Sequence, residues 1–171
     1  LRTVVVDIAD IYDQYNFGIY HPIAIRNYLE RAMLSWPGTA PQYVLLVGDG
    51  TFEIRQQENV FVDEPNYIPP ALGITDPWQG EMDATSLLAA VIGTDIVPDL
   101  AIGRLPVKTA AEVDVVTAKT IAYEQALPGD WQREIVYIAD NTEPRDTSSF
   151  ETSSDNLALN YTPPGFVTNK F

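Results

Sequence analysis

Two stretches decide the fold: PQYVLLVGDG at residues 41–50 and VPDLAIGRLPVKTAAEV at residues 97–113. In the first, residues 43–47 are a short, wholly apolar run, the pattern of a central parallel strand covered on both faces. Gly48, Asp49 and Gly50 then turn the chain sharply at the strand's carboxyl end. In the second, residues 99–102 read as another short strand, closed by Gly103 and Arg104. Thr109 followed three residues later by Glu112 is a capping box, so a helix should run to about Gln125. Val113, Val116 and Ile121 would face inward, and the length suits a crossover helix.

Downstream, residues 134–139 read as a strand ending in Asp140, residues 140–149 as a polar loop and residues 150–160 as a helix. Residues 161–171 show no clear pattern. Upstream, the β-branched run at residues 3–8 reads as a buried strand, and residues 10–20 as a polar and aromatic connection. Pro22 suits a first helical position. Ile25, Tyr28, Leu29, Ala32, Met33 and Trp36 then share one helical face, until Pro37 and Gly38 stop the helix. Residues 51–79 are proline-rich with few helical signals, and residues 86–92 hold a short helix or strand. This alternation predicts an α/β sandwich with a mainly parallel sheet, whose ligand face lies beyond the strand carboxyl ends. Asp7, Asp49, Arg104 and Asp140 are placed near that rim, where Asp49 and Arg104 are expected to hold loops rather than react.

The 171 residues fit one domain, or one piece of a larger one. With 46% hydrophobic residues the chain can build a core. A net charge of −14 disfavours nucleic acid as a partner. No apolar run approaches the roughly 20 residues needed to span a bilayer. Leu1 is not a start methionine, so the chain is expected to be part of a longer polypeptide. The absence of cysteine removes disulfides, thiolate metal sites and thiol catalysis from this chain. Its single histidine, His21, removes two-histidine zinc sites. Without a GxSxG elbow, and with Pro22 next to it, His21 is expected to cap a helix or face solvent. The turn at residues 48–50 lacks both GxGxxG and GxxxxGK[ST], which argues against nucleotide binding. Asp76, Glu81, Asp83, Asp95 and Asp99 form an acidic group that is either a solvated surface or an irregular calcium site; Asp76, Asp83 and Asp95 are the candidate ligands.

The ordered set VVVDIADIYDQYNFGIYHPIAIRNYL, PQYVLLVGDG, PDLAIGRLPV, IAYEQ and WQREIVYIADN resembles the gingipain-like cysteine peptidases over about residues 1–150. The resemblance implies a caspase-like three-layer α/β/α sandwich, incomplete in this chain, and an endopeptidase working through a Cys–His pair on peptide or protein substrates. In that family the histidine and cysteine follow later strands, so residues 1–171 would be the amino-terminal part of the peptidase domain and inactive alone. His21 does not match the family's catalytic histidine. The acid that orients that histidine matches Thr142 without a gap and Glu143 with a one-residue gap. Asp146 is the substrate-binding candidate, with Ser149 and Asp155 nearby in sequence. The resemblance further implies structural calcium, no other cofactor, and an extracellular or cell-surface location. An incomplete sheet would leave apolar surface uncovered and promote self-association. The alternative reading is a non-catalytic, calcium-stabilised binding or scaffolding module of a large surface protein.

Overall fold

The computed structural model describes residues 2–52, 66–78, 80–140 and 149–170, with residues 75 and 76 described by their backbone alone. The chain divides into two compact units, Leu1–Ala118 and Lys119–Phe171.

The first unit opens with α1 (Ile8–Asn16) and α2 (Pro22–Ser35). Residues 2–7 form no strand, which corrects the expectation for 3–8; Val5 is 94% exposed. The Asp7 side chain instead accepts from the Ala9 amide at 2.9 Å and starts α1, so most of the supposed connection at 10–20 is helical. The spacing of Ile8, Ile11, Tyr12 and Tyr15 gives α1 its inward face. Its last turn ends where Phe17 and Gly18 adopt left-handed conformations. For α2, His21 is the N-cap and Pro22 the first residue, and Ile25 and Leu29 are buried in the main core. Burying each of these side chains contributes roughly 1.5–3 kcal/mol.

Strand β1 (Tyr43–Val47) pairs in parallel with β4 (Ala101–Leu105), from Tyr43 opposite Ala101 to Val47 opposite Leu105. The second strand starts two residues later than the sequence predicts. One face of this pair packs through Leu46, Val44 and Ile102 against Ile25, Leu29, Leu88 and Leu100. Between them, β2 (Leu72–Asp76) and β3 (Gly80–Asp83) form an antiparallel hairpin, with β2 at the end of the proline-rich stretch 51–79 and β3 just after it. A 3₁₀ helix follows at Thr85–Ala89. The capping box of α3 (Ala110–Gln125) forms in altered shape: Thr109 Oγ1 accepts from the Glu112 amide at 3.2 Å, whereas the Glu112 carboxylate accepts from Lys108. No residue of α3 is buried and Ile121 is exposed, against the expectation of an inward face.

In the second unit, β5 (Glu134–Tyr137) pairs in parallel with β6 (Val167–Lys170), and α4 (Phe150–Asn160) connects them. Residues 167–170, without pattern in sequence, are thus a strand. Ser149 caps α4 through its hydroxyl, and Lys170 forms an ion pair with Asp155. Among the described residues the strands make three two-stranded sheets, two parallel and one antiparallel, and no closed sheet. This mixed α/β arrangement is compatible with an incomplete caspase-like sandwich.

Candidate functional site

The first unit presents a rim at the carboxyl ends of β1 and β4. Arg104, four residues into β4, reaches across it. Its Nη1 donates to the Ile68 carbonyl at 2.8 Å and the Gly48 carbonyl at 3.2 Å. Its Nη2 donates to the Pro69 carbonyl at 3.4 Å and to Thr85 Oγ1 at 3.5 Å. Only a guanidinium offers enough donors in one plane to hold so many acceptors. The residues after β1 and those before β2 are therefore fastened to one side chain.

The turn itself is closed to anions. The Gly48 amide donates to the Leu105 carbonyl and the Asp49 amide to the Val107 carbonyl, both at 3.0 Å. The Gly50 amide donates to the Asp49 carboxylate at 2.9 Å, and the Thr51 amide to Asn66 Oδ1 at 3.0 Å. A phosphate loop needs those N–H groups pointing at its ligand; here all four are taken. Gly50 serves close approach instead, since a Cβ there would lie 2.2 Å from the Ile68 carbonyl oxygen. Asp49 pairs with Lys108 at 3.8 Å and its carbonyl accepts from Tyr67 and Ile68. Asp49 and Arg104 hold loops, as their sequence context indicates.

Behind the rim lies a tyrosine pair missed in the sequence, where residues 10–20 read as a connection. The rings of Tyr12 and Tyr20 are 5.1 Å apart. Tyr20 Oη donates to Asn66 Oδ1 at 2.7 Å, while the buried Tyr12 hydroxyl has no partner. Asn66 Nδ2 and Arg104 Nε are likewise buried without partners. Burial pushes both phenols above their ordinary value of 10.0, the Tyr20 charge raises Tyr12 further, and Arg104 pulls both back. Both hydroxyls therefore keep their protons at neutral pH and are not nucleophiles.

The other predicted positions separate. Asp7 caps α1, Asp140 belongs to the second unit, and Asp49 and Arg104 are the two of these four residues tied into the turn after β1. His21 caps α2: its Nδ1 accepts from the Ile23 amide at 3.1 Å. Asp83 accepts from Thr85 Oγ1, Asp95 from the Val97 amide, and Asp99 from the Val91 and Ile92 amides. Among the described residues no three His, Asp or Glu side chains converge as metal ligands would. The Asp76 side chain, and all of Thr142, Glu143 and Asp146, lie outside the described residues. Ser149 is the α4 cap, and Asp155 faces Lys170.

The first unit thus offers a parallel strand pair with a fastened rim in a mixed α/β arrangement, and the chain has no thiol. The model of peptidase family C25, the gingipain family, matches residues 1–171, and the chain belongs to that family of cysteine peptidases. Comparison with curated proteins and with solved structures gives no match. No helix among the described residues is long and apolar enough to cross a membrane.

Proposed function

We propose that residues 1–171 supply the scaffold and part of the substrate wall of a secreted cysteine endopeptidase, whose thiolate and catalytic imidazole come from residues outside this stretch. One observation carries the reading: a chain matched along its whole length by a cysteine-peptidase family contains no cysteine. Thiol catalysis needs a thiolate, an adjacent imidazole and an oxyanion hole. His21 cannot substitute, because its Nδ1 lone pair is spent on a helix amide and no described nucleophile pairs with it. Action outside the cell or at its surface, structural calcium, and the roles of Glu143 and Asp146 follow from the family likeness as parts of the same proposal.

The test compares this protein with a polypeptide continued beyond Phe171. The short form should leave casein intact, while the longer form should hydrolyse it and lose activity on alkylation by iodoacetamide. A continuation without the later histidine and cysteine, or an inert one, favours the second reading, a non-catalytic binding module. The observation on its side is that the described rim side chains already serve as turn fastenings. Calcium is tested by melting with and without a chelator: a lower melting temperature in chelator supports a bound ion, and an unchanged one removes it.

A further inference from the structure

A cavity of about 350 Å³ opens beside the start of α2 and lies wholly within the first unit. Its volume falls in the range of small-molecule sites. Pro22, Pro70, Ala71, Leu72, Leu87 and Leu88 give it apolar walls. Ile23 also lines it, the two polar side chains are His21 and Arg26, and no carboxylate is among the described residues that line it.

Arg26 is held but not neutralised. Its Nε and Nη2 both donate to the Ala90 carbonyl, at 3.2 and 2.9 Å. A guanidinium has five N–H donors, so the Nη1 edge stays uncommitted, and no carboxylate pairs with Arg26 among the described residues. The two bonds to one carbonyl fix the guanidinium plane, which lowers the ordering cost of binding. At His21, Nδ1 accepts from the Ile23 amide, which leaves Nε2 as the donor atom. The helix amides are not the binding groups, since Ile23 N–H is taken by His21 and Ala24 N–H donates to the His21 carbonyl.

In a chain of net charge −14, a cavity that combines an unpaired guanidinium, an imidazole donor and apolar walls is selective for one chemistry. We propose that this cavity binds a small apolar monocarboxylate, with the carboxylate on Arg26 and His21 and the hydrocarbon part against Leu72, Leu87 and Leu88. The site is separate from the peptidase reading and stands or falls without it.

The probe is octanoate, with octanol as its uncharged counterpart, followed by methyl-resolved NMR and calorimetry on the purified protein. Octanoate should shift the Leu72, Leu87 and Leu88 methyl signals and bind about tenfold more tightly than octanol, because the charged head gains charge-assisted hydrogen bonds. His21→Asp keeps a good N-cap but puts a carboxylate at the cavity mouth, and should weaken octanoate about tenfold while leaving octanol unchanged. Arg26→Gln should do the same where its melting temperature stays near that of the parent protein. No methyl shift with millimolar octanoate would overturn the proposal. So would equal affinity for octanoate and octanol, or undiminished octanoate binding by His21→Asp.

Discussion

The Nη1 of Arg104 donates to the carbonyl oxygen of Ile68 at 2.8 Å, tying a strand residue to a segment 36 positions earlier. Through the same guanidinium the Gly48 and Pro69 carbonyls are also held, so the carboxyl ends of β1 and β4 and the approach to β2 form one knot. In a parallel sheet that end is where ligands bind, so Arg104 shapes the rim.

Replacing Arg104 by Met should therefore destabilise the first unit by about 1.5–3 kcal/mol, the worth of hydrogen bonds to a charged group, with carbonyls left short of donors. Arg104→Lys should recover only part of this, because an ammonium lacks the planar fork. Urea unfolding midpoints measure both. A midpoint unchanged in Arg104→Met would show that the knot contributes nothing.

Gly50 and Gly103 should respond unequally to alanine. At Gly50 the new Cβ would sit 2.2 Å from the Ile68 carbonyl oxygen, a contact that backbone must move to relieve. Overpacking of that kind costs about 1–3 kcal/mol. At Gly103 the nearest atom is Leu45 Cδ1 at 3.9 Å, ordinary contact, so Gly103→Ala should fall within about 0.5 kcal/mol of the parent. Thermal melts of the two variants side by side make the comparison.

The tyrosine pair gives a mutational and a pH prediction. Tyr12 has a buried hydroxyl without a partner, so Tyr12→Phe should be neutral or stabilising, whereas Tyr20→Phe gives up its bonds to Asn66 and should cost about 1 kcal/mol. Both phenols are raised above 10.0, chiefly by burial. The unfolded chain thus ionises at a lower pH than the native one. Their contribution is fully present below pH 10.0 and is lost progressively as pH rises beyond it. Phenolate absorbance from these two residues should appear together with unfolding, not before it.

The uncovered face of the β1–β4 pair should drive self-association. Tyr43 and Leu45 are 73% and 60% exposed on one face, while Leu46 on the other is 6% exposed. Apolar faces of this kind mark interaction or aggregation surfaces. Light scattering should report dimers or larger species, reduced in Leu45→Lys; a monodisperse monomer at high concentration would contradict it.

Much of this fold was legible: in residues 22–35 from a proline start, a helical period and a stop signal, in 43–47 from an apolar run closed by a glycine turn, and in 110–125 from its capping residue. The reading failed where those signals conflict. Residues 3–6 have strand composition, but a strand needs a neighbour and none among the described residues pairs with them. Asp7 then caps a helix whose inward residues, Ile8, the adjacent Ile11 and Tyr12, and Tyr15, are interrupted by Asp10, Asp13 and Gln14. Strand β6 carries a single apolar residue, Val167, and takes its conformation from pairing with β5 rather than from propensity. At the site, the holding roles of Asp49 and His21 are legible because one follows a strand and the other precedes a proline, whereas Arg104, expected just after a strand, lies inside β4. Tyr12, Tyr20 and Asn66 were not, since no local pattern announces a contact 46 residues away in sequence.

The central claim is that this stretch is peptidase scaffold without its nucleophile. The most direct measurement is hydrolysis of a fluorescent casein substrate by the purified 171-residue protein, in parallel with His21→Ala. The account predicts no turnover from either. Turnover by the parent protein that disappears in His21→Ala would contradict it.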